Sequence, residues 1–110
     1  MPRDDLELMQ GTLDLLVLKS LTWGPLHGYA VARWVRDTTR DDLQIEEGAL
    51  YTALHRMEKR GWIEAEWGLS ENNRRAKYYQ LTSAGRKQLR TQAERFTRYA
   101  TAVFRVLETA

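Results

Sequence analysis

The sequence predicts a mainly α fold, of α+β type, in which three short helices precede a β-hairpin and one long helix closes the chain. Three observations carry this. Apolar residues recur at helical spacing in three early segments; they alternate twice between Ile63 and Leu81; and from Leu89 to Leu107 they keep a 4-3-4-3-4 spacing. Helix, helix, helix, hairpin, helix is the element order of a winged helix, a helix-turn-helix core with the hairpin as its wing.

The first helix is expected from about Asp4 to Thr22. Leu13, Leu16, Val17 and Leu21 form a core-facing stripe, while Leu8, Leu15 and Leu18 form a second apolar stripe on another face. A helix apolar on two sides needs two burial partners, and a second copy of the chain is the candidate for the outer one. Pro25, between Gly24 and Gly28 in "TWGPLHGY", ends the helix. A second helix is expected from His27 to about Thr38, burying Val31, Trp34 and Val35. His27 and Tyr29 at its start either cap and pack or meet a phosphate. Within the polar connection "TTRDDLQIEEG", "LQI" is a candidate short strand.

The third helix, Glu47 to Arg60, buries Leu50, Leu54 and Met57 and stops at Gly61, a favoured C-terminal cap residue. Ile63, Ala65 and Trp67 then alternate with Glu64 and Glu66, and Tyr79 and Leu81 with Tyr78 and Gln80, which is a hairpin with one face inward. Thr82 is the expected N-cap of the last helix, which runs to about Thr109. On this reading residues 1–82 form the winged-helix part and residues 83–110 a C-terminal dimerisation helix, all within one compact domain. Trp23, Trp34, Trp62 and Trp67 are expected to anchor the core, with Trp67 the nearest to solvent.

Composition narrows the function. The chain has 110 residues, 43% of them hydrophobic and 29% charged, enough apolar material for one core. No apolar run approaches the roughly 18 residues of a spanning helix, and the acidic "MPRDDLELMQ" does not read as a secretory signal. Cysteine is absent, which fits a cytoplasmic protein, and His27 and His55 stand too far apart for a metal site. There is no glycine-rich phosphate loop and no evident nucleophile with its base, so neither an enzyme nor a cofactor is expected. Net charge is only +2, but residues 1–71 hold 8 Lys/Arg against 13 Asp/Glu, whereas residues 72–110 hold 9 against 2. The basic surplus begins at the hairpin tip and points to a polyanion partner.

The third helix, drawn at about 100° per residue, separates two faces. Opposite the buried leucines stand Gly48, Thr52, His55 and Lys59, flanked by Tyr51 and Arg56. Small residues allow close approach to a major groove, side-chain donors read base edges, and cations meet phosphate. The hairpin tip adds Asn72, Asn73, Arg74 and Arg75, with Lys77 behind them, a set suited to the neighbouring DNA backbone. The seam Leu89, Ala93, Phe96, Ala100, Val103 and Leu107, with Leu8, Leu15 and Leu18, is expected to pair two copies. Two chains would enclose apolar walls from Leu8, Leu15, Leu18, Phe96, Tyr99 and Phe104, which suit a planar aromatic effector or simply pack tight. The competing class is a winged helix that binds protein instead of DNA.

The segments "GTLDLLVLKSL", "HGYAVARWV", "EEGALYTALHRMEKRGWIEAEW" and "NNRRAKYYQLTSAGRKQL" stand in one order across Gly11 to Leu89. As an ordered set they closely resemble PadR-type transcriptional regulators. The resemblance implies a cytoplasmic homodimeric winged-helix protein, usually a repressor, paired through its C-terminal helix. It also implies that Tyr51, Thr52 and their neighbours on the third helix face DNA together with the basic wing tip. Many members carry a longer, multi-helix C-terminal region, where this chain offers a single helix.

Overall fold

The computed structural model describes residue 8 and residues 11–110. The elements are α1 (Thr12–Ser20), β1 (Leu26–His27), α2 (Gly28–Thr38), α3 (Glu47–Lys59), β2 (Ile63–Leu69), β3 (Arg75–Leu81) and α4 (Ser83–Leu107). This is the expected winged-helix order with one addition. The short extra strand is Leu26–His27, not "LQI": it pairs antiparallel with β3, so the sheet runs β1-β3-β2.

The first helix is shorter than its periodicity suggested. Gly11, in the left-handed region at φ 89°, caps α1, and Leu8 is not helical. The other positions expected to lead into it, residues 4–7, 9 and 10, lie outside the described residues. Its faces are also rotated from the expected ones. Val17, Leu18 and Leu21 form the buried set, with Leu13 and Leu16 packed at its edge. Leu18, assigned above to an outer stripe, is fully buried in its own protomer. The reason is that α1 packs against α2, α3 and α4 of the same chain. Much of its second apolar side is therefore covered from within. Leu8 packs on the same core.

Caps fix the ends of the remaining helices. His27 Nδ1 accepts the Ala30 N–H at 3.1 Å to start α2, and the Glu46 carboxylate accepts from Gly48 and Ala49 to start α3. At the end of α3, the Gly61 N–H donates to Glu58 O and the Trp62 N–H to Met57 O. Gly61 adopts φ 77° to allow this Schellman geometry. Leu50, Ala53, Leu54 and Met57 of α3 are buried against Val31 and Val35 of α2 and Ile63, Tyr79 and Leu81 of the sheet. α3 and the hairpin thus share one core.

The hairpin register pairs Ile63 with Leu81, Ala65 with Tyr79 and Trp67 with Lys77, which places the alternating apolar residues on one face as expected. Asn73 N–H donates to Ser70 O and Ser70 N–H to Arg74 O, and Asn73 takes the left-handed position at φ 60°. A three-residue tip of this kind closes tightly around an αL residue, a conformation that asparagine tolerates. Thr82 Oγ1 accepts the Gly85 N–H, so Thr82 is the N-cap of α4.

Trp23 is a correction. It is 68% exposed, more than Trp67 at 57%. It lies in the turn after α1, where it leans on Trp34 at 5.7 Å and carries Lys19 over its ring instead of entering the core.

Candidate nucleic-acid interface

The outward face of α3 runs the length of the helix. Gly48, Thr52, His55 and Lys59 are all exposed, on the side opposite Leu50, Leu54 and Met57. Gly48 keeps the N-terminal end low. The face then rises through a hydroxyl and an imidazole to an ammonium, so its chemistry changes from close approach to hydrogen bonding to charge.

Tyr51 is held beside that face by a specific contact. A Cβ on Gly28 would lie 2.8 Å from the Tyr51 hydroxyl, so the glycine of "HGY" is the floor on which this ring rests. The ring remains 46% exposed. It forms one side of an open notch of about 750 Å³ between the start of α2 and the wing. Asn72, Arg74, Arg75 and Lys77 of the wing line the same notch, with His27, Tyr29 and Arg33 opposite. Five of the expected DNA residues are thus gathered at one place; Asn73 stands at the tip outside the lining. Arg33 carries no sequence signal beyond its charge. It reaches Glu71 of the tip at 3.9 Å and lies over the Tyr29 ring.

Two expected cations are committed elsewhere. Arg56 does not flank the outward face freely: its Nη1 and Nη2 donate to the two carboxylate oxygens of Asp14, both at 2.6 Å. Those hydrogen bonds raise its pKa above the ordinary value, against the opposing effect of burial. Lys77 donates to Glu58 Oε1 at 3.0 Å, and this bond likewise raises the lysine's pKa. The pair ties the wing base to the end of α3, a positional role rather than an open contact for phosphate. Burial raises the Tyr79 hydroxyl's pKa beneath it. Arg75, by contrast, extends along the wing and stacks on Trp67 at 4.8 Å, which rigidifies the cation while leaving it exposed.

The expected seam residues of α4 sort into two groups. Leu89 packs on its own core and Ala93 and Ala100 are half-buried, whereas Phe96, Val103 and Leu107 are exposed, with Tyr99, Phe104 and Val106 beside them. Leu15, Phe96 and Tyr99 meet in a groove of about 620 Å³ between α1 and α4, whose polar wall includes Asp14, Gln88, Gln92 and Arg95. Leu8, Leu18 and Phe104, expected in that enclosure, do not line it. Among the described residues, no helix is long and apolar enough to cross a membrane.

The profile of the transcriptional regulator PadR-like family matches residues 17–91, from the middle of α1 into α4. The chain belongs to the PadR-like family. Uncharacterized protein X of Lysinibacillus sphaericus is 31% identical over 83 residues, covering 76% of each chain. A PadR family transcriptional regulator of Eggerthella lenta is 32% identical with a TM-score of 0.77, over 92% of this chain and 86% of that one. Bacillus subtilis PadR, in a complex with operator DNA, shares the fold at a TM-score of 0.64 and 22% identity, over 72% of this chain and 45% of its own. As a PadR-like protein the chain is a DNA-binding transcriptional regulator and not an enzyme.

Proposed function

We propose that this protein is a cytoplasmic homodimeric repressor that reads a palindromic operator with α3 and grips the adjoining backbone with its wing. The observation that carries the reading is the shared core beneath an exposed α3 face and a cationic wing, which fixes one relative to the other. Thr52, His55 and Lys59, with Gly48 leaving room, are the residues for the major groove. Tyr51, Asn72, Asn73, Arg74 and Arg75 are the residues for phosphate. Two-fold symmetry in the protein requires two-fold symmetry in the site, with the two α3 helices about one DNA turn, ~34 Å, apart. The operator-bound Bacillus subtilis protein uses the same fold on DNA.

One experiment separates the two kinds of contact. Duplexes selected from a random library should be palindromic. Thr52→Ala should lose about 1–3 kcal/mol of discrimination at particular base pairs. Arg74→Ala should weaken selected and unrelated duplexes alike and reduce the salt slope by about 1. Selection that returns no palindrome, or an Arg74→Ala variant with altered base preference and an unchanged slope, overturns the assignment.

The finer reading extends to the α1–α4 groove. Leu15 and Phe96 offer apolar walls and Tyr99 a phenol, a lining that suits a planar aromatic compound. Such a ligand acts on DNA affinity if it binds the free and DNA-bound arrangements unequally. Hydroxylated aromatic compounds titrated into the protein–DNA complex should lower operator affinity, and Leu15→Trp, which fills the groove, should remove the effect. An effect that survives in Leu15→Trp places the ligand elsewhere.

A further inference from the structure

The Asp14–Arg56 pair joins elements 42 positions apart in the chain. Each oxygen of the carboxylate accepts one arm of the guanidinium, and the Asp14 side chain is only 17% exposed. Asp14 stands in the first turn of α1, where the helix's own N–H groups favour a negative charge. A planar bidentate pair fixes direction as well as distance, which a single hydrogen bond does not. The guanidinium end of the pair belongs to α3, one residue beyond His55 of the outward face. Its carboxylate end belongs to a residue that also walls the α1–α4 groove, beside Leu15 and Phe96.

We propose that Asp14 is a positioning residue for DNA reading: by holding both arms of Arg56 it fixes how α3 is turned against α1 and withholds that cation from phosphate. The inference rests on the DNA-reading role of α3 proposed above. Base discrimination depends on side chains meeting base edges at set angles, so a reading helix free to roll loses it. A guanidinium released beside that face would add an attraction to every duplex, whatever its sequence, and erode discrimination further. The pair as it stands has no net charge to offer a phosphate.

The test compares wild type, Asp14→Asn, Arg56→Gln and the double variant on two probes across a salt series. The probes are the tightest duplex recovered from a random library and an unrelated duplex of equal length. Asparagine keeps the size of Asp14 but has no charge and a single oxygen acceptor, so it frees Arg56. Asp14→Asn should reduce the ratio of selected to unrelated affinity about 10-fold and steepen the salt slope on unrelated DNA by about 1. Arg56→Gln and the double variant should lose discrimination at the wild-type slope, because no cation is released. If Asp14→Asn does not fold, Arg56→Gln decides alone: an unchanged ratio overturns the proposal. Equal weakening of both probes together with a lower melting temperature also overturns it, since that is what lost stability alone produces. A wild-type protein that does not discriminate at all is a different failure, and it removes the DNA-reading role itself.

Discussion

Gly85→Ala is expected to cost about 3 kcal/mol of stability, at the upper end of the usual overpacking range, although alanine is the better helix former. Gly85 is buried in the first turn of α4, and a Cβ there would collide with the Trp62 carbonyl oxygen. That oxygen cannot easily give way. It accepts the Thr82 N–H at 3.0 Å and the Thr82 hydroxyl at 3.0 Å, the same residue that caps α4. From another direction the Leu81 side chain already stands 3.2 Å from where the methyl would lie. Helix propensity alone would favour alanine by about 1 kcal/mol, so the two effects have opposite signs and the measurement is decisive. With about 4–8 °C of melting temperature per kcal/mol for a small domain, the expected fall is roughly 12–24 °C. A Gly85→Ala variant that melts at or above wild type would show that α4 shifts freely on the hairpin base. The consequence for function is direct, because this contact sets the angle at which α4 leaves the winged-helix core.

The elements with strong periodicity were legible in the sequence. The inward set Leu50, Leu54 and Met57 and the hairpin's alternation follow from geometry that one face of a helix or strand must satisfy, and the caps at Gly61 and Thr82 follow from local chemistry. What escaped was decided by neighbours distant in the chain. Leu13, Leu15, Leu16 and Leu18 make α1 apolar on nearly all sides, so periodicity could not say which side faced which partner; its packing against three helices of its own chain put Leu18 in the core. Leu26 and His27 form too short a strand to show any alternation, and only the edge of β3 beside them makes them one. Arg56 and Lys77 have the right residue type for phosphate, yet Asp14 and Glu58 satisfy them across the fold. No local pattern announces those carboxylates. Trp23 shows the same limit from the other side, since a large apolar residue in a turn is not thereby buried.

The exposed half of α4 sets up the second large effect. Beyond Ala93 the helix carries Phe96, Val103 and Leu107 at seam spacing, with Leu107 71% exposed in the protomer. An apolar ridge of this kind, opposite a face bearing Lys87, Arg98 and Arg105, suits a second copy of the same helix, and a two-fold pairing brings each seam residue onto its counterpart region. Phe96→Asp would place a carboxylate in that interface with no partner, once in each protomer. An uncompensated buried charge costs about 3–5 kcal/mol, so the variant should sediment as a monomer at micromolar concentration, where the proposed homodimer requires wild type to sediment as a dimer. Loss of the dimer should reduce affinity for a palindromic duplex at least about 100-fold, because the second half-site is no longer bound intramolecularly. Affinity for a single half-site should change little, which separates lost pairing from a damaged reading head. Phe96 also borders the α1–α4 groove, so its replacement could disturb the protomer as well. Val103→Asp, two turns further along and clear of that groove, provides the independent check: it should give the same monomer with an unaltered half-site affinity. A wild-type protein that is monomeric at micromolar concentration, or a Val103→Asp variant that remains dimeric, would rule out this seam as the pairing surface.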